Sequence, residues 1–163
     1  MSGASSWAIR EDDARRIQVI LGGFLADAGA RAALIVDRTG QMVATAGDLP
    51  AFDPTAFASL AAADFSANDQ LARVLGEAEF GSLFHHGQRD SMYLADVARR
   101  VILVVLFDDR TTLGLVKLRA RSAVGQLDQV FIDMLARDGG AAPTVESGFG
   151  GDAADEIDRL FGG

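Results

Sequence analysis

The amino-acid sequence predicts an α+β domain: a five-stranded antiparallel sheet with flanking helices, in the order α-β-β-α-β-β-β-α. Two observations carry this. Three stretches, near 10–28, 53–75 and 109–137, repeat apolar residues with helical spacing. Between them lie five short β-type runs joined by tight turns, and tight turns join antiparallel strands.

The first helix is expected over residues 10–28. Ile17, Ile20, Leu21, Phe24 and Leu25 fall on one face, Arg10, Glu11, Asp12, Arg15 and Arg16 on the other, and Gly29 ends it. Gly22 and Gly23 inside it each cost about 1 kcal/mol of helix propensity; close packing against another element is the expected reason. A hairpin follows, with Ala32 to Asp37 as a central strand, Arg38-Thr39-Gly40 as turn and Gln41 to Ala46 as return strand.

Asp53-Pro54 starts the second helix, since Asp caps and Pro suits the first helical position. It should run to about Leu75, with Gly76 as its stop and Phe57, Leu60, Ala61, Leu71, Val74 and Leu75 as its core stripe. Its middle, Ala61 to Gln70, is rich in Ala and small polar residues, which let another backbone come close. Strands are expected at Ser82–His86, Ser91–Val97 and Val101–Phe107. A long helix follows to about Arg137, capped by Asp109 or Thr111. Its stripe is Leu113, Val116, Ala120, Val124, Leu127, Phe131 and Met134.

The composition changes at Gly139. Residues 1–138 read as the domain, 139–151 as a Gly/Ala/Ser-rich flexible linker, and 152–163 as a short amphipathic helix. That last segment sets Ile157, Leu160 and Phe161 among Asp152, Asp155, Glu156 and Asp158. An apolar triplet on an acidic helix at the end of a tether reads as a docking peptide.

Hydrophobic residues make up 49% of the 163, enough for a sizeable core. The net charge of −8 argues against coating nucleic acid, which needs Lys and Arg to displace counterions, and against anionic membrane surfaces. There is no cysteine, which removes disulfides, thiolate ligands and a Cys nucleophile and fits a cytoplasmic location. The longest apolar run, Val101 to Phe107, is far short of a membrane span, and no signal peptide is visible.

No chemistry of the chain's own emerges. His85 and His86 are the only histidines, and neighbours on a strand point to opposite faces, so they do not share a metal. Neither a phosphate-binding GxxxxGK[ST] nor a GxGxxG is present, so no cofactor is expected. Asp108-Asp109 reads better as capping the following helix than as a Mg²⁺ site. Lys117, Arg119 and Arg121 read either as a solvated face or as a contact for a phosphate or an acidic surface.

Several segments resemble the Roadblock / dynein light chain domain family, and within it the bacterial polarity regulators. They are Leu34-Ile35-Val36-Asp37-Arg38-Thr39-Gly40-Gln41, the stretch Leu71 to Phe80, Phe84-His85-His86-Gly87 with Asp90-Ser91-Met92-Tyr93, the dense run Arg100 to Arg119, and the tail Glu156 to Phe161. The resemblance implies a homodimer paired along a sheet edge and through the middle helix. It implies a partner, a small Ras-like GTPase of the MglA type, seated on the paired middle helices at Ala63, Ser66, Ala67, Gln70 and Arg73. It implies GTPase activation, nucleotide exchange promoted through Ile157, Leu160 and Phe161, and a place at a cell pole. The alternative within the family is a non-catalytic scaffold that binds a GTPase or motility complex without changing hydrolysis. One departure stands out: Asp64, Asn68, Asp69 and Gln70 replace smaller uncharged residues, which is expected to alter partner choice or weaken activation.

Overall fold

The computed structural model describes residues 8–141. It holds three helices, α1 (Glu11–Ala28), α2 (Pro54–Val74) and α3 (Leu113–Ala141), and five strands. These are β1 (Ala32–Asp37), β2 (Met42–Gly47), β3 (Ser82–His86), β4 (Ser91–Val97) and β5 (Val101–Phe107). The element order and the antiparallel sheet are those the sequence predicts.

The sheet order is β2-β1-β5-β4-β3, so β5 is central and β2 and β3 are the edges. β1 and β5 are buried at every position, as expected of strands with helices on both sides. Side chains alternate between the faces. Ala33, Ile35, Leu103, Val105 and Phe107 meet α1 and α3, while Leu34, Val36, Ile102, Val104 and Leu106 meet α2. The molecule is thus three layers: α1 with α3, the sheet, and α2.

Local chemistry fixes the turns. Asp37 Oδ1 accepts the Thr39 N–H, the Thr39 hydroxyl and the Gln41 N–H at 2.9, 2.7 and 2.9 Å, and Gly40 supplies a positive φ of 95°. Gly29 caps α1 in the left-handed region, its N–H donating to the Leu25 carbonyl at 3.0 Å. The β4–β5 turn is less usual. Ala98 and Arg99 both have positive φ, 53° and 57°, where Asn-Gly would sit without strain. Asp128 of α3 holds this turn by accepting the Ala98 N–H at 2.7 Å; burial raises its carboxyl above the ordinary range.

α1 and α3 pack against each other through the apolar stripes of both helices. Ile17, Leu21 and Phe24 face Val116, Ala120, Leu127, Phe131 and Met134 in one core, with Leu113 and Val124 partly buried against it. A buried ion pair links their ends: Arg137 Nη2 lies 2.9 Å from Asp13 Oδ2. The Arg137 guanidinium holds the Asp13 carboxyl below its ordinary value.

Four expectations need correction. The glycines of α1 do not serve packing within the chain, because a Cβ at Gly22 or Gly23 would meet nothing within 4 Å. The cap of α3 is Thr112, whose Oγ1 accepts the Leu115 N–H at 3.2 Å. Thr111 instead donates its hydroxyl to the Ala28 carbonyl at 2.6 Å, tying α3 to the end of α1. Asp108 does not cap; Arg110 pairs with both of its oxygens and lowers its pKa. Finally, α3 runs to Ala141, past Arg137 and into the first three positions of the expected linker.

Candidate functional site on the second helix

α2 begins as its sequence dictates. Asp53 Oδ1 accepts the Thr55 N–H at 3.1 Å, and Pro54 opens the helix. The face turned to the sheet is mostly alanine: Ala58, Ala61, Ala62, Phe65, Asn68 and Ala72 are buried. Small side chains bring the helix close to the strands, and Phe65 fills the space left at the centre.

The expected core stripe therefore holds at Ala61 and in part at Phe57, and is wrong at Leu60, Leu71, Val74 and Leu75. Phe57 is half-buried, stacked on Phe52 at 4.5 Å between ring centroids. Leu60, Leu71, Val74 and Leu75 are 69%, 59%, 82% and 70% exposed. The helix has two apolar faces, and the alanine-rich one packs inward. Positions 60, 67, 71 and 74 follow the i, i+7, i+11, i+14 rule and make an outward stripe, with Ala63 on its flank. Scattered exposed leucines mean little, but a contiguous stripe marks an interaction surface.

The expected GTPase-binding residues Ala63, Ser66, Ala67, Gln70 and Arg73 are all exposed, along and beside this stripe. Ile157, Leu160 and Phe161 lie outside the described residues. Three of the four residues noted as departures from the family pattern are tied into the fold. Asp64 Oδ2 is 2.5 Å from His85 Nε2 of β3, Asp69 Oδ2 accepts from Arg38 Nη1 at 2.9 Å, and Asn68 is buried. Only Gln70 remains on the outer surface.

A residue the sequence did not single out organises the end of this face. Arg38, in the β1–β2 turn, pairs with Asp69 of α2 and with Asp96 of β4, and its guanidinium lies 5.0 Å over the Phe65 ring. With Arg73, Glu79 and Arg99 it lines a polar cleft of about 270 Å³. No sequence signal joins these residues, because they come from separate elements. Beside α2, the edge strand β3 pairs with β4 only, and Phe84, His85 and His86 are exposed on it. His85 turns to Asp64 while the His86 ring sits 6.0 Å from that of Phe84, on opposite sides as alternation requires. Among the described residues no three His, Cys, Asp or Glu side chains converge as a metal site would require.

A Roadblock/LC7 domain family model matches residues 16–107, from the middle of α1 to the end of β5. The chain belongs to the Roadblock/LC7 domain family. Among solved structures, Myxococcus xanthus MglB is 41% identical, covering 72% of this chain and 96% of its own, with a TM-score of 0.69. The gliding protein MglB from Thermus thermophilus is 32% identical over 77% and 95%, with a TM-score of 0.70. An MglB described as having a tetrameric arrangement is 32% identical over 80% and 98%, with a TM-score of 0.74. A Roadblock/LC7 domain from Streptomyces avermitilis, at 12% identity and a TM-score of 0.64, shares the fold. The curated proteins contain no match. The chain is therefore an MglB-like Roadblock protein. No helix among the described residues is long and apolar enough to cross a membrane.

Proposed function

We propose that this protein is a homodimeric regulator of a small Ras-like GTPase of the MglA type, accelerating GTP hydrolysis without an active site of its own. The outward stripe of α2 carries the reading. A lone protomer leaves Leu60, Leu71 and Val74 in water, and a two-fold pairing through α2, extended along the open edge of β3, covers them. The small residues Ala63, Ser66 and Ala67, with Gln70 and Arg73, then form the seat for the GTPase. The similarity to MglB at 41% identity supports this assignment.

A trans arginine finger is worth about 10³–10⁵ in rate. Arg73 is the arginine on the seat, and it lies beside the Arg38 cleft. In this reading the dimer instead reorders the GTPase's own catalytic groups. The tail, through Ile157, Leu160 and Phe161, adds a second contact that promotes nucleotide exchange. The test is single-turnover GTP hydrolysis by the GTPase with and without this protein. Acceleration supports activation. Binding at the intrinsic rate converts the protein to a scaffold, and neither binding nor acceleration refutes the assignment.

A further inference from the structure

The layer opposite α2 carries its own unexplained surface. Along the seam of α1 and α3 runs a cleft of about 510 Å³ lined by Arg15, Arg16, Val19, Ile20, Gln126 and Gln129. A second cleft of about 270 Å³ shares Val19, Ile20 and Gln126 and continues past Gly23, Phe24 and Ser122 to Arg119. Together they form one groove. Val19 stands 73% exposed on its wall, and Leu118 and Ile132 are 57% and 51% exposed on the flank of α3. Gly22, Gly23 and Gly125 face open space. Helix-interior glycines cost stability relative to alanine, and nothing in the described chain requires them here. Gly23 lines the groove and puts no side chain into it.

We propose that the groove is the seat of this chain's own C-terminal segment, residues 152–161, held there when no partner has captured it. The length is right: Arg15 to Asp27 on α1 spans about 18 Å at 1.5 Å per residue, and a ten-residue helix spans about 15 Å. The reach is right as well. α3 ends at Ala141, and Gln126 and Gln129 lie 12 to 15 residues back along it, about 18–22 Å. Residues 142–151 reach up to about 33 Å when extended and about 17 Å as a Gly-rich coil. The outer face of α2 lies beyond the sheet, two layers away.

The chemistry matches too. The segment offers Ile157, Leu160 and Phe161 to the Val19–Ile20–Phe24 floor, and Asp152, Asp155, Glu156 and Asp158 to arginines at both ends of the groove. Arg15 now pairs with Glu11 and Asp12, and Arg16 with Asp133, in exposed pairs that exchange at little cost. Asp27 at the far end opposes the segment, and Arg119 beside it offsets that charge. The inference goes beyond the GTPase reading, and its test contains no GTPase, so either can fail alone.

The chain has no cysteine, which makes the test direct. Full-length protein carrying Val19→Cys and Leu160→Cys is oxidised mildly, and disulfide formation within one chain is followed on non-reducing gels. The control pair is Ala51→Cys with Leu160→Cys, since Ala51 is exposed on the α2 side of the sheet. The groove pair should close at least about tenfold faster than the control, as a tethered segment at high effective concentration does. Filling the groove with Gly23→Leu, where open space admits a side chain, should bring the rate down to the control. Equal rates for the two pairs overturn the proposal. So does a Val19–Leu160 bond that forms only between chains carrying one cysteine each, or a dominant Val19–Val19 bond, which would make the groove a contact between two copies.

Discussion

Replacing Leu60 and Leu71 by alanine separates the two apolar faces of α2. Leu→Ala removes about 2.4 kcal/mol of transfer free energy when the side chain is fully covered, at about 0.8 kcal/mol per methylene. These two leucines are 69% and 59% exposed, so about two-thirds of that, near 1.5 kcal/mol each, is still to be gained when a partner covers them. In a two-fold interface each residue counts twice. Full cover then gives about 6 kcal/mol and half cover about 3, a rise in dimer Kd of about a hundredfold to ten-thousandfold. The remaining third, about 0.9 kcal/mol for each leucine, is already realised in the protomer, and alanine returns a little through helix propensity, so the protomer should melt about 1–2 kcal/mol below the parent while staying folded. Sedimentation equilibrium reads the Kd, and far-UV circular dichroism reads the melt. An unchanged Kd refutes pairing through this face. A variant that unfolds refutes the placement of the leucines outside the core.

Other outcomes follow from the same geometry. Ser66→Arg with Gln70→Arg should abolish GTPase binding and leave the dimer intact on sizing; a retained complex removes these residues from the seat. Phe65→Ala, beneath Arg38 and fully buried, should cost about 3–5 kcal/mol in urea unfolding. Arg137→Met leaves the Asp13 carboxylate without its guanidinium partner and should lower stability at pH 7. Asp13 has a folded-state pKa below its ordinary 3.8, so its contribution is present above that value and lost as the pH falls through the folded value. The gap between parent and Arg137→Met should therefore close below about pH 4, as thermal melts against pH will read. Deleting residues 142–163 should spare fold and dimer while weakening exchange promotion; full exchange activity without them removes the tail from the mechanism.

The strands were legible because their signals are local. Val101 to Phe107 is an unbroken apolar run between turns, and Asp37-Arg38-Thr39-Gly40 writes its own hairpin through one carboxylate. The limits of α2 were legible too, from Asp53-Pro54 to Gly76. Its orientation was not. Periodicity finds an apolar stripe but does not choose between two, and side-chain size points the larger leucines inward where the alanines and Phe65 belong. The expected seat at Ala63, Ser66, Ala67, Gln70 and Arg73 follows from the resemblance alone, and the structure adds that all five are exposed. Arg38 was invisible as a hub because Asp69 and Asp96 stand 31 and 58 residues away in sequence. The cost of Gly22 and Gly23 to the helix is legible in the sequence, but the direction they face is not: the space beside them is open rather than packed.

The central place of β5 also governs how the chain reaches this fold. β1 is wholly apolar at five of its six positions, yet its inner neighbour is a strand more than sixty residues later, with Ala32 opposite Leu106. The β3-β4-β5 meander closes through near neighbours, whereas β1 must wait for loop closure over the whole of α2. The expected nucleus is therefore the meander with α3, and the α1-β1-β2 unit docks late; φ-values near one at Val104 and near zero at Ala33 would show it. Until then the side of β1 that will face β5 is an open and mostly apolar edge, a place where misassociation during synthesis can start.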